Sequence, residues 1–451
     1  MSPQRADLTA DENMLSALPT SPRAVVFAAW HGLFWLVFAN AIGVMLAVLL
    51  LLPGLNPWLS GWTYGRWMMV HMNAMLYGWS SLPMLGFLFR VYRADQRATA
   101  AWCRPVLWAW SSALALGAFT WLNGNSSGKL FLDWSGPARI AFPLAAFALW
   151  LLLAIAFFWN RQSDGENGQL AKVAKSLGLL VLLAVPVALY IASSPSIYPA
   201  INPDTGGPTG TSQLESSLAV VFILLLVPYG VARRRKEGVA PVRIAWILFV
   251  AESVLCASLS RADISHRIPS QFMSLGAMVL WMPLAPAYYK AFHWHPNTRG
   301  WRRAMLVWWG LLVVSGWIYF LPGVLDHFKF TDGLVGHSFT AMAGFLSALI
   351  ILVLVQLLGE GGWIFTRRWS FHVWNWGVLG YIVVITIAGW LEGSNPAFTI
   401  VLTPTRNLLY ILRLLTGILM LVASAEWLRA AFVLTGGLTS SPATSIQENA
   451  A

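Results

Sequence analysis

Two histidines stand inside long apolar runs, where an imidazole has few ordinary partners. His71 lies in GRWMMVHMNAMLYGW (65–79) and His337 in FTDGLVGHSFTAMAGF (330–345). Neutral imidazole is a good ligand for heme iron, and the small neighbours Ala74, Gly78, Ala341 and Gly344 leave room for a flat macrocycle. The alternative is plainer: each ring could hydrogen-bond a carbonyl or a water across a helix interface. Of the 8 histidines, His293 and His295 fall in a connecting loop and His31 and His372 near span ends, which suits interfacial roles. His266 and His327 fall in loops on the opposite side. Glu252, Glu392 and Arg413 also interrupt apolar runs, and ionisable groups in such places are functional candidates. Glu252 could relay protons. Glu392 and Arg413 could form an ion pair that locks adjacent helices. Arg406, at the mouth of the last run, suits an anionic partner such as a heme propionate, and equally a surface position. Cys103 and Cys256 suggest neither a disulfide nor a CxxC site.

The elements that must position these groups are membrane spans. The chain has 451 residues, 57% of them hydrophobic and only 10% charged, with a mean hydropathy of +0.63. Soluble domains carry roughly a quarter charged residues, and two cysteines exclude a disulfide-stapled fold. A span needs about 20 apolar residues. The apolar runs predict twelve, near 24–53, 67–92, 102–122, 138–159, 173–194, 213–232, 241–260, 268–292, 303–321, 332–358, 371–394 and 406–434. Residues 1–23 read as a polar cytoplasmic tail without signal-peptide features, and 435–451 as a disordered C-terminal tail. The fold class predicted is an all-α polytopic membrane protein with twelve transmembrane helices.

Loop charges orient the bundle. Basic residues concentrate on alternate connections: Arg90, Arg93, Arg97 and Arg104; Arg161, Lys172 and Lys175; Arg233, Arg234, Arg235, Lys236 and Arg243; Lys290, Arg299, Arg302 and Arg303; Arg367 and Arg368. By the positive-inside rule these loops and both termini are cytoplasmic. The net charge of +11 thereby finds its place beside anionic headgroups rather than on nucleic acid. Spans 2 and 10 then run inward from the outer face. His71 and His337 sit at matching depth, within roughly 10 Å of that face at 1.5 Å per residue, so that one heme could take both as axial ligands.

Twelve spans, R-x-x-x-x-H-x-N-A from Arg66 to Ala74, and T-D-x-x-x-G-H from Thr331 to His337 resemble the large subunit of the heme–copper oxidases. The likeness is nearest to the C-type, heme-b-only cytochrome c oxidases and more distant to nitric oxide reductases. G-K-L-F-L-D-W (128–134), L-W-M-P (280–283) and I-A-G-W-L-E-G (387–393) support it, in order, from about residue 27 to 430. The resemblance implies a subunit I-like bundle in three arcs, holding a low-spin heme and a high-spin heme beside a metal.

Departures from the family pattern shape the functional expectation. The family's copper site takes a histidine from span 6 and a His-His pair after span 7. Here the span-6 position falls near Ser217, and the segment after span 7 reads SLSRADISHRIPSQ (258–271) with His266 alone. Copper wants three imidazoles. The family's second span-10 histidine is Phe339, and its span-7 tyrosine falls near Ala251–Glu252. The resemblance therefore implies a heme-b-binding electron-transfer subunit of a respiratory complex in a bacterial-type inner membrane. One heme b is expected, or two, with His71 and His337 as ligands, no copper centre, and a membrane-anchored cytochrome c among its partner subunits. Two other readings stay open: a cofactor-poor structural or assembly subunit, and a terminal oxygen or nitric oxide reductase with a distorted metal site. A secondary transporter would also suit twelve spans, but the halves show no repeat.

Overall fold

A computed structural model describes residues 23–126, 129–159, 169–194, 197, 213–259 and 268–439. The N-terminal tail, the segment with His266 and the residues after 439 lie outside the described residues. Helices dominate. In chain order they are α1 (Arg23–Leu51), α2 (Tyr64–Asn73), α3 (Leu82–Val91), α4 (Ala100–Leu122), α5 (Ala138–Trp159) and α6 (Gln169–Ala192). Next come α7 (Gln213–Val231), α8 (Val239–Leu259), α9 (Pro269–Leu275), α10 (Trp281–Lys290), α11 (Arg299–Tyr319) and α12 (Val324–Phe328). The last are α13 (Asp332–Phe339), α14 (Ser347–Leu358), α15 (Trp363–Thr366), α16 (Arg368–Ser394) and α17 (Pro404–Thr439).

Ten helical stretches among the described residues are long and apolar enough to cross a membrane, so the chain is an all-α polytopic membrane protein. The two other expected spans are helical too. Around 67–92 the helix is divided into α2, a π-helical segment at Ala74–Ser80, and α3. Around 303–321 lies α11, whose tryptophans and first-turn arginines dilute its hydropathy. The last helix continues to Thr439, beyond the expected end of the span.

Lipid replaces water outside such a bundle, so apolar side chains face outward as well as inward, and packing relies on small residues and aromatic wedges. Gly32 of α1 receives the Pro83 ring, Gly78 receives Trp35, and Gly344 receives Trp308; an added Cβ would stand 2.6, 2.4 and 2.7 Å from them. The helix apolar all round, α14, is buried along almost its whole length, as that pattern demands. α1 and α16 both pack against α17, α13 packs on α16, and α11 packs on the π segment that joins α13 to α14.

Both histidine-bearing helices pass through a π turn. After His71 it covers Ala74–Ser80, and after His337 it covers Thr340–Leu346. A π turn disrupts the ordinary hydrogen-bond ladder, and each is closed by a serine that donates five residues back. Ser81 donates to the Leu76 carbonyl and Ser347 to the Met342 carbonyl, both at 2.9 Å. Trp79 then donates to Ser347 Oγ at 2.9 Å, tying the two π turns together. The spacing H-x6-G-x2-S occurs identically at His71–Gly78–Ser81 and His337–Gly344–Ser347.

Candidate histidine and ion-pair site

The His71 ring lies in a groove of α1. Nδ1 is 2.8 Å from the Ala39 carbonyl. A carbonyl only accepts, so Nδ1 carries the proton and the lone pair stays on Nε2. One turn along α1, Gly43 makes the fit possible: a Cβ there would stand 2.9 Å from His71 Cε1. The ring is half-buried and lies within electrostatic reach of the Arg413 guanidinium on α17.

Around Arg413 the helices converge. Its Nη1 pairs with Asp332 Oδ2 of α13 at 2.9 Å, and its Nε donates to the Tyr381 hydroxyl of α16 at 3.1 Å. The Asp332 backbone N–H donates to Glu392 Oε2 of α16 at 2.6 Å. Tyr64 of α2 and Tyr410 of α17 feel the same charges. The expected Glu392–Arg413 pair is thus corrected: Asp332 is the direct counter-ion. Residue 332 opens α13, where a carboxylate suits the helix N-terminus and its oxygen reaches across to α17. Glu392 instead caps the exposed N–H of that turn.

Along α2, Tyr64, Trp67, Met68 and His71 recur at helical spacing on one face. The indole N–H of Trp67 is buried without a hydrogen-bond partner among the described residues. Such a donor wants an acceptor, so this face combines an open imidazole nitrogen, an unused donor and a nearby cation.

His337 is held elsewhere. Its Nδ1 shares a hydrogen bond with Ser315 Oγ of α11 at 3.1 Å, and Gly316 makes room for its edge, a built Cβ lying 3.1 Å from Cε1. Tyr319 and Phe320 flank it. Two residues on, about 200° round the helix, Phe339 stacks on Tyr381 with ring centres 4.3 Å apart. Thus Phe339 faces the Arg413 cluster, while His337 is engaged by α11. No hydrogen bond or ring contact joins His71 to His337 among the described residues.

Arg406 is buried at 2% exposure. It donates to the Thr399 carbonyl at 3.0 Å, the Leu50 carbonyl at 2.9 Å and Asn407 Oδ1 at 3.1 Å, and its guanidinium covers the Tyr410 ring. It therefore clamps the loop before α17 to the end of α1 rather than lying on the surface. Glu252 accepts from the Trp281 indole through Oε2 at 2.7 Å, while Oε1 has no hydrogen-bond partner among the described residues. His31 is buried against Ser111 at 2.9 Å, and His327 Nε2 meets the Trp390 carbonyl at 3.0 Å. Both are packed structural histidines.

Reasoning from sequence missed Tyr64, Trp67, Asp332 and Tyr381. Asp332 carried a signal, since it stands in the T-D-x-x-x-G-H segment itself. Trp67 and Tyr64 could have been found by tracing the His71 face one and two turns back. No protein-family model matches the chain, and no curated protein sequence does.

Proposed function

We propose that this chain is a heme-b-binding electron-transfer subunit of a membrane respiratory complex. On this reading it has the twelve-helix architecture of heme–copper oxidase subunit I, with both termini on the cytoplasmic side of a bacterial-type inner membrane. The observation that carries the reading is His71: its tautomer is fixed by Ala39 so that Nε2 keeps its lone pair, beside an unused indole donor and the Arg413 cation. A second-sphere carbonyl of this kind orients a metal-binding imidazole and raises its basicity. Heme b would supply a one-electron carrier. His71 would hold it by Nε2, Trp67 could donate to a propionate, and Arg413 would favour its negative charge. His337, with its own glycine groove, is the candidate ligand for a second heme rather than a second ligand to the first. Ser217, near the span-6 position where the resemblance implies a metal-site histidine, offers no imidazole, and His266 stands alone where a pair is implied after span 7, so the proposal includes no copper centre. A membrane-anchored cytochrome c would be the electron-transfer partner.

A cofactor-poor assembly subunit is the second reading, and the Phe339–Tyr381 stack favours it. That aromatic pair occupies the span-10 position where the resemblance implies a heme ligand. Reduced-minus-oxidised and pyridine hemochrome spectra of protein purified from heme-replete membranes separate the two. Heme b that disappears in His71→Ala supports the first reading. Protein without Soret absorbance, still assembling with partner subunits, supports the second. Stoichiometric copper or non-heme iron by metal analysis would restore the terminal-reductase reading.

A further inference from the structure

At the end of the bundle that loop charges assign to the cytoplasm, two distant loops are pinned together. Arg233 and Arg234 pair antiparallel with Phe292 and His293 in a two-stranded bridge. The Arg235 backbone N–H donates to the Ala291 carbonyl at 2.8 Å, and its Nε to the Phe292 carbonyl at 3.3 Å. The bridge sets Arg235 beside the first turn of α11, where Arg299, Arg302 and Arg303 follow. The half-buried Arg302 guanidinium lies within electrostatic reach of Arg235, Arg299 and Arg303. None of these four has a carboxylate within 4.0 Å among the described residues.

Such a cluster is unfavourable by itself. Four guanidiniums repel, burial of one of them weakens screening, and the positive end of a helix dipole adds to the repulsion. The positive-inside rule asks only that charges lie on this side; it does not require a β bridge to bring two loops' arginines together. Guanidinium groups clustered in this way match phosphate oxygens. Below Arg303 the same face of α11 continues as Val307, Leu311, Val314 and Ile318, all exposed. An anion that binds here therefore stands directly above an apolar strip long enough for an acyl chain.

We propose that Arg235, Arg299, Arg302 and Arg303 form a specific binding site for the phosphate headgroup of an anionic phospholipid of the inner leaflet, its chain lying along Val307–Leu311–Val314–Ile318. The site depends on the membrane placement of the helices and is independent of the heme reading.

Native mass spectrometry of the full chain in a neutral detergent tests this, with phosphatidylglycerol, phosphatidylcholine and inorganic phosphate as separate titrants. The wild type should retain phosphatidylglycerol in preference to phosphatidylcholine. A basic residue near a charged lipid surface is worth roughly fivefold in affinity, so Arg302→Gln with Arg303→Gln should lower retention by about thirtyfold. Arg302→Lys with Arg303→Lys should keep most of it, and Arg368→Gln, at the start of α16 on the same side, should change nothing. Protection of the buried Cys103 and Cys256 from a thiol dye verifies that each variant is folded. Equal retention of both lipids, or unchanged retention in the folded glutamine variant, would overturn the proposal. So would displacement of the lipid by inorganic phosphate at matching concentration, which would assign the arginines to a soluble anion. An acidic peptide that binds where phosphatidylglycerol does not would overturn it in favour of a protein partner.

Discussion

Replacing Asp332 with asparagine removes the counter-ion of Arg413 while leaving its shape. Both side chains of the pair are largely shielded, at 10% exposure for Arg413 and 19% for Asp332. Removing one partner of a buried pair costs about 3–5 kcal/mol, because the other charge is stranded. Here the lower end applies. Arg413 keeps its bond to Tyr381, and Glu392 is held next to Asp332 and can move toward the guanidinium. A loss of about 3 kcal/mol corresponds to roughly a hundredfold in the folded-to-unfolded ratio. Asp332→Asn with Glu392→Gln should lose more than the sum of the two single changes, since it removes the substitute as well. Arg413→Met in the Asp332→Asn background should recover stability, because no charge is left stranded. The assay is unfolding in mixed micelles against increasing denaturing detergent, read by a thiol dye at Cys103 and Cys256, both buried in the folded state. Wild-type stability of Asp332→Asn, or additive losses in the double variant, would refute the view of Asp332 as the direct counter-ion and Glu392 as its reserve.

Three further outcomes follow from individual contacts. Gly43→Ala places a Cβ 2.9 Å from the His71 ring, which must shift; bound heme b, measured by pyridine hemochrome, should fall well below the wild-type level while Gly65→Ala, in open space, leaves it unchanged. Trp281→Phe takes the indole donor from Glu252 and should cost on the order of 1–3 kcal/mol by the same unfolding assay, with Glu252→Leu in that background regaining part of it. Lys129 lies in the loop before α5, bonded to the Ala192 and Ser194 carbonyls, and burial lowers its pKa from the ordinary 10.5. The folded state then binds fewer protons than the unfolded one between that lowered value and 10.5, so stability should rise with pH across this window. Lys129→Met should flatten that part of the stability–pH curve.

The membrane class and most helix positions were legible because a bilayer span leaves a long apolar run that no loop imitates. The pairing of charges was not. Glu392 and Arg413 stood out as intruders in apolar runs, whereas Asp332 stands at a helix start, where a carboxylate is ordinary. Only the packing of α13 against α16 shows that its oxygen reaches α17. Facing directions were equally hidden. Matching depth suggested that His71 and His337 share one ligand, yet depth carries no azimuth, and the azimuths are set by Gly43 and Gly316 on other helices. Nothing in the sequence marks the Trp67 indole as unpaired; that its buried N–H has no partner among the described residues shows only in the packing.

The π turns have one more consequence. A π turn is what a helix becomes when one residue is inserted without shifting the rest, so each marks a phase boundary within its span. Without such a turn an extra residue would swing everything on one side by about 100° relative to the other; the π turn absorbs it locally, and the serine that closes each turn satisfies the carbonyl five residues back. In both helices the histidine lies on one side of that boundary and the densely packed apolar half on the other. The half that carries the histidine therefore keeps its facing direction whatever the length of the turn that follows it. Deleting a single residue from 74–80 should convert the turn to ordinary α-helix and leave both His71 on the Ala39 carbonyl and α3 in place. The two π turns are thus the places where these helices can change length without re-aiming the histidines that precede them.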